Sequence, residues 1–282
     1  MLFDILLDTV IDAVRMLPFL FLAYLAIEWI EERAEEKTAE MIRSAGTWGP
    51  VIGAGLGVIP QCGFSAAVSN LYAGGLITRG TLLAVFLSTS DEMLPILISG
   101  GAPVGFIIKV LAFKFMAGVI VGIMTDALFR RHGTRRNMTL HDLCEQEDCH
   151  CENGIFRSAA VHTVKIFLFI FTVSFLLNLA VELVGPERFG SFILNRPIAG
   201  EMLAGLIGLI PNCAASVVLT SLYLQGGISA GAMVSGLLVG SGVGLLVLVR
   251  MDRDWKDDLV TIAILYVSGV LLGIAAGTFG LF

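Results

Sequence analysis

Apolar residues gather in long blocks separated by short charged stretches, and two of the blocks are interrupted at matching places. A helical bilayer crossing needs about 20 apolar residues, so 5–30 predicts a first span, with a charged amphipathic stretch over 31–43 behind it. The next block, 48–75, is divided at Pro60-Gln61-Cys62 into two pieces too short to cross alone. Such pieces form short tilted helices or a re-entrant hairpin, tolerated where the backbone is buried in protein or lines a cavity. Blocks 81–99 and 103–129 complete a first half. After the hydrophilic stretch 130–157, the scheme returns as 158–184, a broken 197–226, 230–249 and 259–281. The expected fold is an all-α polytopic membrane protein. Two membrane repeats, 1–129 and 158–282, flank a linker over 130–157, and each repeat holds a Pro-interrupted or re-entrant helix pair.

The halves match in detail. Gly57-Val58-Ile59-Pro60-Gln61-Cys62 returns as Gly208-Leu209-Ile210-Pro211-Asn212-Cys213, and one ungapped offset (211 − 60 = 151) carries the likeness from Gly57 to Leu97. Along it Ser65 meets Ser216, Tyr72 meets Tyr223, Gly75 meets Gly226, Gly80 meets Gly231 and Ser90 meets Ser241. Internal symmetry with Pro- or Gly-interrupted segments at corresponding positions points to a transporter with a midplane site between repeats. The plainer alternative is a pair of unrelated Gly-rich packing stretches. Five segments per half is an odd number, so the halves should be inverted. Counting each broken region as one kinked crossing would instead give four per half and parallel repeats.

Composition narrows the class. With 56% hydrophobic and 15% charged residues and a mean hydropathy of +0.86, the chain falls well below the roughly 25% charge of a soluble domain. No small-residue cleavage site follows the first apolar run, which is therefore expected to stay as a span. The basic run Arg130-Arg131-His132-Gly133-Thr134-Arg135-Arg136 predicts a cytoplasmic linker. The same orientation places Arg33, Lys37, Arg43, Arg79, Arg157, Arg250, Arg253 and Lys256 inside, leaves Arg188 and Arg196 as exceptions, and puts both termini on the outer side.

The breaks carry candidate chemistry. Cys62, Ser65, Ser69 and Tyr72 follow Pro60 at steps that share one helix face, as do Cys213, Ser216, Thr220 and Tyr223 after Pro211. Such stripes either hydrogen-bond helix to helix or face each other across a substrate path. Proline favours the first helical turn, so each cysteine is expected at a helix start, where free N–H groups and the dipole favour thiolate. In inverted repeats the two starts would approach, bringing Cys62 and Cys213 together with Gln61 and Asn212. Thiolates suit soft species such as trivalent arsenic, cuprous or zinc-like ions. Either cysteine could also be a small buried hydrophobe.

Charged residues inside the apolar blocks add a second set. Asp91-Glu92 follows Ser88-Thr89-Ser90 within one block and Lys114 lies midway along the next. Intramembrane charges face a partner or a water-filled path, so Lys114 with Asp91 or Glu92 is either a structural pair or a proton-coupling device. The aligned positions in the second half are Gly242-Val243, so the acidic pair is one-sided. Asp12 and Arg15 lie one turn apart and should satisfy each other, and Glu201 complements a helix start. The linker concentrates His141, Cys144, Cys149, His150 and Cys151 with several carboxylates. That is more than the four ligands of a tetrahedral metal site, although paired C-x-x-C spacing is lacking; a solvated acidic loop is the alternative.

Two five-segment halves, a Pro-[Gln/Asn]-Cys break in each, the Ser-Thr-Ser-Asp-Glu run and the His/Cys-rich linker resemble the ten-span heavy-metal exporters, which are relatives of the organoarsenical permeases and are themselves often labelled manganese transporters. The resemblance implies efflux of a metal or metalloid across a prokaryotic inner membrane. Manganese would prefer the oxygens of Asp91 and Glu92, whereas the cysteines favour a softer ion. The expected partners are that substrate and the lipid bilayer, with no nucleic acid, and a homodimer is allowed. No cofactor is required beyond a metal ion held by the linker. An intramembrane thiol oxidoreductase using Cys62 and Cys213, or a passive channel, are the competing classes. Neither break contains the C-x-x-C of the former, and no phosphate-binding loop supports ATP-driven pumping.

Overall fold

A computed structural model describes residues 48–59, 62–90, 93–130, 198–251 and 255–282, with isolated helical positions between 10 and 25 and between 156 and 175. Ten helices occur among the described residues, and no strand does. The first half supplies α1 (Gly49–Gly57), α2 (Cys62–Ala73), α3 (Arg79–Ser88), α4 (Met93–Ser99) and α5 (Val104–Arg130). The second supplies α6 (Ala199–Gly208), α7 (Cys213–Leu224), α8 (Ala230–Val239), α9 (Gly244–Met251) and α10 (Trp255–Thr278).

The duplication reaches the element ends. Thr78 caps α3 by accepting from the Thr81 amide at 3.2 Å, and Ser229 caps α8 by accepting from Ala232 at 3.1 Å; each satisfies a first-turn donor that the helix cannot. Gly75 (φ 68°) and Gly226 (φ 73°) close α2 and α7. In both, the glycine amide bonds the carbonyl three residues back and the next amide reaches five residues back, a left-handed C-terminal turn that a side chain would strain.

The breaks expected at 60–62 and 211–213 separate α1 from α2 and α6 from α7. A second interruption was not expected. The apolar blocks 81–99 and 230–249 each read as one continuous span, yet the first divides into α3 and α4 around Thr89–Ser90 and the second into α8 and α9 around 240–243. The physical reason is visible in the polar groups. Thr89 turns its hydroxyl back onto the Val85 carbonyl at 2.7 Å, beside its own amide bond to the same oxygen, and Ser90 donates to the Val58 carbonyl of another segment at 2.6 Å, so polar side chains serve backbone groups where the helix stops. In the second half Gly240 and Gly242, the latter at φ 56°, supply the flexibility.

Packing repeats as well. In the first half α3 is wedged between α1 and α5; in the second α8 lies between α6 and α10. Glycines allow this closeness: a Cβ on Gly80 would fall 2.2 Å from the Gly122 oxygen, and one on Gly122 would fall 2.6 Å from the Gly80 oxygen. Gly231 and Gly273 face each other in the same way, at 3.0 and 2.9 Å. The offset of 151 therefore continues beyond Leu97 into the long helices (273 − 122 and 269 − 118). The halves also exchange elements, since α2 packs on α9 and α7 on α4. The broken stretches Arg79–Ser99 and Ala230–Met251 are mostly buried, whereas α5 and α10 expose most of their apolar surface. That order follows from hydrocarbon being unable to satisfy interrupted backbone. Those four stretches are each long and apolar enough to cross a membrane.

Candidate functional site

The described breaks lie together. Ser90, from the interruption between α3 and α4, bonds the carbonyl of Val58, which follows α1. A Cβ on Gly57 would lie 2.0 Å from the Ser88 hydroxyl, and in the second half one on Gly208 would lie 2.3 Å from the Gly236 oxygen and 3.2 Å from the Gly240 amide. Each half therefore brings its two interruptions into contact.

The halves then meet at the same level. Ser65 and Ser69 of α2 are fully buried, and the Ser69 hydroxyl lies 2.8 Å from both the Ser65 carbonyl and the Gly244 carbonyl of α9. A Cβ on Gly244 would lie 2.6 Å from that of Ser65, so this face of α2 rests on the start of α9. Thr220 of α7, equally buried, turns its hydroxyl to the Ser216 carbonyl at 2.7 Å. Helix α7 faces α4 rather than the stripe of α2.

Lys114 is 1% exposed, and its ammonium donates to the carbonyl of Leu237. That carbonyl lies in the last turn of α8, where the continuing helix would have provided a donor and the interruption does not. A cation there also meets the negative end of the α8 dipole. Asp91 and Glu92, the partners expected for Lys114, lie outside the described residues, as do Pro60 and Gln61. So do the linker ligands His141, Cys144, Cys149, His150 and Cys151, and the pair Asp12 and Arg15.

The helices start at Cys62 and Cys213, as the sequence predicts, although the two cysteine side chains are outside the described set. Pro211 sits in the bend two residues ahead of α7 rather than inside its first turn, because Asn212 forms the last non-helical link, its carbonyl accepting from the Ala215 amide at 3.3 Å. Asn212 is buried and Pro211 half-buried. Among the described residues no three His, Cys, Asp or Glu side chains come together as a metal cage.

Asp126 and Asp257 were not singled out from the sequence, nor were the partners of Glu201, Tyr72 and Arg79. Asp126 of α5 accepts from the Thr78 hydroxyl at 2.7 Å and the Gly80 amide at 2.8 Å, closing the start of α3. In the second half Gly277 stands at the equivalent of Asp126 (277 − 126 = 151). Its place beside α8 is taken by Glu201 of α6, 3.4 Å from the Ser229 hydroxyl. Asp257 of α10 accepts from the Tyr72 hydroxyl at 2.7 Å and pairs with Arg79, while Arg79 also donates to Tyr72 at 3.2 Å. The helical register marked Tyr72, but nothing local marks a partner 185 residues away.

An all-helical architecture with several bilayer-length apolar helices, two of them broken and buried, defines a multi-pass membrane protein. The chain belongs to the family described as "Putative, 10TM heavy-metal exporter", whose model matches residues 2–197. It matches no curated protein and no solved structure.

Proposed function

We propose that the protein is a secondary active transporter that exports a heavy-metal ion or metalloid across a prokaryotic inner membrane, with proton coupling. Its site is the midplane region where the Pro-[Gln/Asn]-Cys breaks begin α2 and α7. Family membership supports export of a heavy metal. The single observation that favours this site is the convergence of duplicated interruptions at the contact between halves, since irregular backbone is accepted at membrane depth where it is buried or lines a path. In this reading Cys62 and Cys213, with Gln61 and Asn212, hold a soft ion, and Pro60 and Pro211 fix the breaks. Ser65, Ser69, Ser216 and Thr220 support the helices behind the cysteines. Asp91 and Glu92 exchange the coupling proton, with Lys114 as their counter-charge, and the linker residues His141, Cys144, Cys149, His150 and Cys151 bind the same metal on the cytoplasmic side. The repeats are inverted, with both termini outside. The direction of the long helices supports this. Phe106 near the start of α5, and Phe113 two turns further on, contact Phe282 beyond the end of α10, while Phe129 near the end of α5 shares Arg79 with Asp257 near the start of α10.

The test is uptake of labelled zinc, cuprous ion, manganese and arsenite into everted vesicles driven by an imposed pH gradient. Wild-type vesicles should concentrate at least one of these, and Cys62→Ser or Cys213→Ser should each reduce that uptake at least tenfold with unchanged protein level. Full uptake by the double variant would refute the cysteine site.

A further inference from the structure

Two contacts between the halves are the same contact made twice. Tyr72 of α2 reaches Asp257 of α10, and Tyr223 of α7 stacks on Phe106 of α5 at a centroid distance of 5.3 Å. Tyr72 and Tyr223 are equivalent under the repeat offset, and so are Phe106 and Asp257 (223 − 72 = 151; 257 − 106 = 151). In both, the far end of a helix that begins at a cysteine break is tied to the start of the long helix of the opposite half.

The chemistry of the two ties differs. Around Tyr72, Arg79 pairs with Asp257 and lies 4.3 Å from the centre of the Phe129 ring, with the Arg79 and Asp257 side chains only 9% and 18% exposed. Around Tyr223 the tie is aromatic, because Phe282 packs edge-on against Phe106 at 5.9 Å and Phe113 at 5.6 Å. Ala230 stands where Arg79 would be and Gly280 where Phe129 would be, by the same offset. The clusters lie at opposite ends of α5. Phe106 and Phe129 are 23 positions apart in one helix, which at about 1.5 Å per residue is roughly 35 Å, against a hydrocarbon thickness of about 30 Å.

We propose that these clusters are the two gates of the transport path, an ionic gate of Tyr72, Arg79 and Asp257 at one membrane face and an aromatic gate of Phe106, Tyr223 and Phe282 at the other. The proposal rests on the transporter reading and deepens it. Both ties are made at once in this structure, so in this reading both gates are shut. A buried ion pair adds little stability over an apolar substitute of the same shape, but its members can part into water and be hydrated. Parting the aromatic cluster exposes apolar surface at a cost that grows with area. The ionic gate is therefore the one that opens more readily, and the asymmetry biases the empty carrier toward that face.

The experiment uses full-length protein with its five cysteines replaced by alanine and a reporter cysteine in place of Ser65, which is fully buried in α2 seven positions before Tyr72 (72 − 65 = 7). Labelling by a membrane-impermeant thiol reagent is timed in right-side-out and everted vesicles. Asp257→Asn should speed labelling about tenfold from one face only, the size of change that raises an open state from about 1% to about 10% of the population. Phe106→Leu should do so from the opposite face only. Acceleration from the same face in both variants, or from neither, overturns the proposal. If Asp257→Asn does not reach the membrane, Arg79→Lys, which keeps the charge and loses the forked donor, poses the same question. The labelling needs no metal, so side-specific labelling without wild-type metal uptake would retain the gates and reject the exporter reading, while uptake without side-specific labelling would do the reverse.

Discussion

The repeat supplies its own control for the tightest contacts in the core. At Gly80 an added methyl would lie 2.2 Å from a backbone oxygen and 2.4 Å from Asp126 Cγ, an atom held in place by two hydrogen bonds. At Gly231, its equivalent, the nearest atom is the Glu201 carboxylate at 2.8 Å, the mobile end of a long side chain, and the backbone oxygen of Gly273 is 3.0 Å away. Glycine to alanine in a helix gains at most about 1 kcal/mol from propensity. Overpacking against backbone costs about 3 kcal/mol or more, and against a movable side chain about 1 kcal/mol. Gly80→Ala should therefore be about 2 kcal/mol or more net destabilising, and Gly231→Ala near neutral. At roughly 2–4 °C per kcal/mol for chains of this size, the two unfolding midpoints should differ by at least about 5 °C. The measurement is a thermal unfolding midpoint in detergent at one scan rate, since membrane proteins often unfold irreversibly. Equal midpoints, or a larger loss at Gly231, would refute the claim that the α3–α5 contact is the closer of the two.

Two further outcomes are expected. Lys114→Met removes the donor to Leu237 and leaves a buried carbonyl unpaired at the end of α8, a loss of about 1–3 kcal/mol. Because Lys114 serves this carbonyl as well as the proposed carboxylate pair, adding Asp91→Asn should recover the midpoint only in part, and no recovery at all would refute its role as counter-charge. Deleting residues 140–152 should shift the metal concentration at which an expressing strain tolerates stress without abolishing efflux, and complete loss at normal expression would place the linker in the transport step itself.

The sequence made the first interruption in each half visible because proline and a polar residue punctuate an apolar run. It hid the second. Thr89, Ser90, Gly240 and Gly242 are small enough that average hydropathy passes over them, and only their hydrogen bonds and turn geometry reveal that the helix has stopped. The Ser-Thr-Ser run at 88–90 and the Gly-Ser-Gly run at 240–242, one position further along the offset, were the available signals. Likewise the likeness between halves fades after Leu97 as side chains diverge, yet Gly118 with Gly269, and Gly122 with Gly273, persist where the neighbouring helix leaves no room for a Cβ. Asp257 and Asp126 were illegible for another reason: their partners come from other helices, and no local pattern encodes such distances. The polar face of α2 was legible as a face, but its occupant, the start of α9, was not.

The exchange of α2 and α7 between the halves bears on how the protein is made. As the chain leaves the ribosome, the first half can assemble α1, α3 and α5, but the partner face of α2 belongs to α9 and that of α4 to α7, neither yet synthesised. Until then the Ser65–Ser69 face lacks the start of α9 on which it rests in the finished protein. The packing of α2 on α9 and of α4 on α7 is therefore completed only once the second half is made. Among the described residues, each half therefore depends on the other to cover a helix face.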